Sequence, residues 1–99
     1  MYNLEFLVDV NEHHTKKQAV YFFPNGYGVS IINIVSPNGV HYSYTNKSHP
    51  YEVAILEGSI ESSQIAYDTP ITDDVIGYLT LEEVYNLMKQ IENLQNYVN

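Results

Sequence analysis

The chain contains no cysteine and no arginine. The first absence removes disulfide stapling, cysteine-based zinc sites and thiol catalysis together, leaving hydrophobic packing as the main source of stability. The second removes the side chain that grips phosphates and carboxylates through paired hydrogen bonds. Basic residues of any kind are scarce: four lysines face twelve aspartates and glutamates, for a formal net charge of −8. Lys16, Lys17, Lys47 and Lys89 form no stripe, so direct nucleic-acid binding, which needs clustered cations along a phosphate backbone, is disfavoured. Long hydrophobic runs are lacking as well. The longest, residues 28–35, is broken by Ser30 and Asn33 and is far too short to span a bilayer. Residues 1–10 carry Glu5 and Asp9 and no preceding basic segment, unlike a secretory leader. These absences predict a soluble protein of a reducing cytoplasm.

What is present fits one domain over residues 1–99. The length suits a single hydrophobic core, 44% of residues are apolar, and ten tyrosines with three phenylalanines supply large faces to fill it. Residues 3–10 alternate Phe6, Val8 and Val10 against Glu5 and Asp9, as a strand with one wet face does. Residues 18–23 form a β-prone run stopped by Pro24. Pro24-Asn25-Gly26 and Pro37-Asn38-Gly39 both read as tight turns, since Pro fixes φ and Asn-Gly accepts positive φ. Residues 27–35 between them are rich in β-branched residues and predict a central strand, with Gly28 marking a bulge or a close backbone approach. Further strands are predicted over residues 40–45, 51–56 and 64–67.

From Thr80 the period changes. Leu81, Val84, Leu87, Met88, Ile91, Leu94 and Val98 lie on one helical face, and Thr80 with Glu83 forms a capping box. The expected architecture is α+β: an antiparallel four- to five-stranded meander packed against one C-terminal amphipathic helix.

Residues 67–79 are the least generic stretch, with Asp68, Asp73 and Asp74, two threonines, and Tyr67 and Tyr78. The structural expectation is that Thr72 or Asp73 caps one helical turn over residues 74–76, ended by Gly77. The chemical alternative is a small-ligand or divalent-metal site in the Asp68–Asp74 loop, because hard cations want several oxygens, although no EF-hand spacing is present. No catalytic group is assigned: the chain has no Gly-x-Ser-x-Gly elbow, and the adjacent His13 and His14 sit in a polar loop. No enzymatic activity and no cofactor are expected.

Charge distribution says more. Between Ser48 and Met88 there is no lysine or arginine, while Glu52, Glu57, Glu61, Asp68, Asp73, Asp74, Glu82 and Glu83 all fall there. The bland explanation is solubility; the sharper one is complementarity to a basic protein surface, including a DNA-binding groove that carboxylates occupy by imitating phosphates. Phe-Pro-Asn-Gly-Tyr-Gly-Val-Ser at 23–30, Tyr-Glu-Val-Ala-Ile-Leu at 51–56 and Tyr-Asp-Thr-Pro-Ile-Thr-Asp-Asp-Val-Ile-Gly-Tyr-Leu at 67–79, followed by an acidic helix, together resemble small proteins encoded by phages and prophages of Gram-positive bacteria. The resemblance covers the chain from about Tyr21 onward and implies a phage accessory protein of the bacterial host's cytoplasm, with an inhibitor of host defence, of the anti-CRISPR or DNA-mimic type, as its concrete form.

The expected partner is therefore a host protein with a basic surface, such as a nuclease or another nucleic-acid enzyme. Asp68, Asp73, Asp74, Glu82 and Glu83 are the expected contact residues, with Tyr67 and Tyr78 as anchors; the loop and the first helical turn are expected to form one acidic end. Self-association as a homodimer or phage assembly protein, through pairing of sheet edges, is a further alternative.

Overall fold

A computed structural model describes residues 2–72 and 74–96. Six strands and one helix follow in chain order: β1 (Leu7–Val10), β2 (Thr15–Phe22), β3 (Tyr27–Val35), β4 (Tyr51–Gly58), β5 (Ser63–Ile65), β6 (Ile76–Leu79) and α1 (Leu81–Glu92). Strands β1 to β5 form an antiparallel meander in sequence order, and β6 pairs with β4. The fold is thus α+β, an antiparallel sheet packed against one C-terminal helix. No helix among the described residues is long and apolar enough to cross a membrane.

Register sets the core. Ala19 lies opposite Ile31, and Ile31 opposite Val53, so these side chains share a face with Val29 and Ile55. Helix α1 lays Val84, Leu87, Met88 and Ile91 on that face, all buried. Each such aliphatic side chain contributes on the order of 2 kcal/mol by leaving water. The capping box is formed as the sequence predicts: Thr80 Oγ1 accepts from the Glu83 amide at 3.2 Å, and Glu83 Oε1 accepts from the Thr80 amide at 2.9 Å. The bond from the Thr80 amide is the main reason the Glu83 carboxyl titrates below its ordinary range.

Both Pro-Asn-Gly turns are present, with Gly26 at φ 85° and Gly39 at φ 88°. The first does more than turn the chain. Asn25 is buried, and its Nδ2 donates to the carbonyl oxygens of Ile91 at 2.8 Å and of Glu92 and Leu94 at 3.3 Å. It satisfies carbonyls that the end of a helix leaves without intrahelical donors. At the same end Tyr2 donates its hydroxyl to Glu92 Oε1 at 2.8 Å and packs edge-on against Tyr21 and Phe23. Burial of the phenol, then the bond to the carboxylate, push the Tyr2 hydroxyl up to about 12.

Three expectations need correction. Residues 40–45 are not a strand; a single bridge joins Val35 to His41, and the chain then folds into a loop held by Ser43, Thr45 and His41 side chains. The first strand begins at Leu7 rather than residue 3, because Leu4 and Phe6 pack against the core instead of extending the ladder. No helical turn occupies residues 74–76: Ile76 opens β6, opposite Val53. The exposed edge of β4 offers that backbone a ladder, which a single capped turn cannot match. Val98, counted in the helical stripe, lies outside the described residues.

Candidate functional site

Strands β5 and β6 occupy the same edge of β4, end to end and in the same direction. The pairing runs Gly58 with Ser63, Glu57 with Gln64 and Leu56 with Ile65, and the Ala66 amide still donates to Ile55 O at 2.7 Å. A regular continuation would set Asp68 opposite Val53. Ile76 stands there instead, so the chain leaves the edge after Ala66, makes an excursion over residues 67–75, and returns eight positions later. Two threonines build that excursion. Thr69 is buried and its Oγ1 donates to Thr72 O at 3.0 Å while accepting from the Thr72 amide; Thr72 Oγ1 repeats the pattern with Asp74 O and the Asp74 amide. Asp74 Oδ1 accepts from the Val75 amide at 2.8 Å. These local bonds replace the ladder that the backbone has given up.

Asp68, Tyr67, Tyr78, Glu82 and Glu83 fall at two poles, while Asp74 is tied locally to Thr72 and Val75 within the excursion. Tyr67 and Asp68 are exposed at the start of the excursion, beside Glu57, whose Oε1 accepts from Gln64 Nε2 at 2.9 Å. Asp68, Glu57, Pro70 and helix-terminal residues 93–96 line a groove of about 520 Å³. A second groove of about 470 Å³, lined by Tyr67, Asp68, Glu57, Gln64 and Ile65, adjoins it. Glu82 and Glu83 lie at the other end of α1, whose twelve residues span about 18 Å at 1.5 Å per residue. Asp68 and the first helical turn therefore do not share one acidic end. Reversal of the chain at Thr80 carries the helix back along β4, so Asp68 meets the helix's C-terminus and not its N-terminus. Asp73 lies outside the described residues.

Tyr78 belongs to the second pole and carries the one positive φ, 57°, among the described non-glycine residues. A bulky side chain in the left-handed region is a conformational outlier. The surroundings impose it. Gly77 backs onto Tyr44 so closely that a Cβ there would sit 2.5 Å from Tyr44 Cβ, and the Tyr78 amide donates to Tyr44 O at 2.8 Å. The Tyr44 amide in turn donates to Glu52 Oε1 at 2.8 Å. Both rings stand well out, Tyr44 at 61% and Tyr78 at 54% exposure. Sequence reasoning missed Tyr44 as a neighbour of Tyr78, because only the third dimension brings positions 44 and 78 together. It did count Glu57 among the acids, without a signal that Asp68 would join it.

Among the described residues no lysine forms an ion pair with the acidic side chains of either pole. The only ion pair among the described residues joins His13 to Glu12 at 3.4 Å, far from either pole in the chain. The C-terminal end of α1 adds its negative dipole to the Glu57–Asp68 groove. Among the described residues no three His, Asp or Glu side chains gather closely enough to hold a metal ion. No protein-family model, curated protein or solved structure matches the chain.

Proposed function

We propose that the chain is a small acidic phage accessory protein that binds and inhibits a host protein, and that the partner offers a basic surface of the kind found on a nuclease or another nucleic-acid enzyme. The observation that carries this reading is the Glu57–Asp68 groove, which combines two carboxylates with the negative end of a helix and has no lysine in ion-pair range among the described residues. A lysine or arginine of the partner finds there what this chain does not supply for itself. Glu82 extends the acidic surface to the other pole; Glu83 contributes charge while its carboxylate holds the capping box. Tyr67 and Tyr78 supply rigid contact area at low entropic cost.

The test is affinity capture from a host lysate, followed by titration of the captured partner against the intact protein at low and high salt. Affinity should fall at least tenfold as the Debye length shrinks from about 30 Å at 0.01 M to about 8 Å at 0.15 M. Asp68→Asn with Glu57→Gln should weaken binding further at low salt than at high salt. Affinity that is unchanged by salt and by both substitutions would overturn the proposal.

A further inference from the structure

The two edges of the sheet differ in how well they are guarded. On one side an excursion separates β5 from β6 and the register shifts between Tyr51 and Val53, so that edge offers no continuous, regular ladder. On the other side β1 is a regular strand that pairs only with β2. All four of its residues are exposed, with Leu7 at 74%, Val8 at 58% and Val10 at 68%. It carries no proline, lysine or bulge, and Asp9 is its one charged residue.

We infer that β1 is an interface at which a second copy of this chain adds its own β1, antiparallel and about a two-fold axis, to make one continuous twelve-stranded sheet. Hydrogen-bond parity restricts the register. The Asn11 amide donates to His14 O at 3.0 Å, so positions 11, 9 and 7 point their backbone groups inward to β2. Val8 and Val10 therefore direct theirs to the open edge. An antiparallel copy must pair these even positions with each other. Centring the axis on Val8 sets Val8 against Val8 of the second copy and Leu7 against Asp9. A shift that sets Val8 against Val10 would bring Asp9 against Asp9, which like-charge repulsion disfavours. An axis centred on Leu7 would bring Asp9 against Glu5, which the same repulsion disfavours; the Val8-centred register pairs the Val8 amides and keeps the carboxylates apart.

Charge selects a second copy as the occupant. The β1–β2 side carries Glu5, Asp9 and Glu12 against Lys16 and Lys17, close to balance, whereas the other nine carboxylates are matched only by Lys47 and Lys89. Two molecules of net charge −8 approach most easily through the edge farthest from their acidic side. Docking there leaves both Glu57–Asp68 grooves facing outward.

Sedimentation of the full chain from about 10 to about 500 µM should show a shift from a monomer of 11.4 kDa to twice that mass. Val8→Pro removes one outward amide and leaves the β1–β2 ladder untouched, so it should stay monomeric throughout with an unchanged circular dichroism spectrum. Val8→Lys, which guards the edge with a charge instead, should do the same and serves if the proline variant fails to fold. A wild-type chain that remains monomeric at the highest concentration overturns the inference, as does a dimer that survives Val8→Lys.

Discussion

Tyr78 holds an aromatic side chain at φ 57°, a conformation that costs an L-residue about 1–2 kcal/mol relative to the right-handed region. Asparagine adopts that region readily, and a β-branched side chain does so worst. Tyr78→Asn should therefore leave stability unchanged or slightly raised, and Tyr78→Val should lower it by a fraction of the roughly 1–2 kcal/mol that the conformation itself costs, both read from urea denaturation midpoints. The ring at this position adds little that the fold needs, since more than half of it is exposed. If it anchors the partner, Tyr78→Asn weakens capture of the basic protein while the fold holds or gains. A Tyr78→Asn variant that loses stability by more than Tyr78→Val would show that the tyrosine is structural.

At the scale of elements, what the sequence makes legible is what short-range chemistry decides. Helix α1 reads directly from Thr80 and Glu83 and from the spacing of Val84, Leu87, Met88 and Ile91, because each of those signals lies within the helix itself. Gly28 reads as a close approach, and Phe22 Cδ1 would indeed sit 2.7 Å from a Cβ there. Strand β6 does not read, because Ile76–Leu79 becomes a strand only where β4 leaves an edge open to it. Residues 40–45 fail in the reverse sense: their alternation looks β-like, but little neighbouring backbone is left to pair with.

The division of the acidic residues into two poles follows from where the helix runs, which no local pattern encodes. Asn25 shows the same limit, since its turn is legible while its role at the helix terminus, 66 residues away, is not. That role predicts a large effect from a small change. Asn25→Asp keeps the turn but replaces the donor with a carboxylate facing the carbonyls of Ile91, Glu92 and Leu94. The loss of a buried donor costs about 1–3 kcal/mol, and the dipole at the helix's C-terminus opposes the new charge. Thermal unfolding should show a clear drop at pH 7 that partly recovers near pH 4, where the carboxyl takes up a proton. An equal drop at both pH values would mean that geometry and not charge governs the site.

For the whole molecule, charge and compactness are in conflict. Eight net negative charges are held within a radius of gyration of 13.6 Å, against roughly 30 Å for an unfolded chain of this length. Unscreened in water, that difference in self-repulsion amounts to a few kcal/mol against the folded state. The chain offsets little of it internally, since the described residues hold one ion pair and it involves a histidine. Salt acts on two opposed terms. It screens the repulsion, which stabilises the fold, and it screens the capping and dipole interactions of α1, which are each worth about 0.3–1 kcal/mol. The repulsive term is the larger because it sums over all the carboxylates. Raising sodium chloride from about 0.01 M to about 0.5 M should lift the unfolding temperature by roughly 5–10 °C at pH 7. The same titration near pH 4, where many carboxylates are protonated, should give a much smaller rise. A melting temperature that is flat or falling with salt at pH 7 would mean that the acidic side is compensated in solution, and it would remove the electrostatic basis for a basic partner as well.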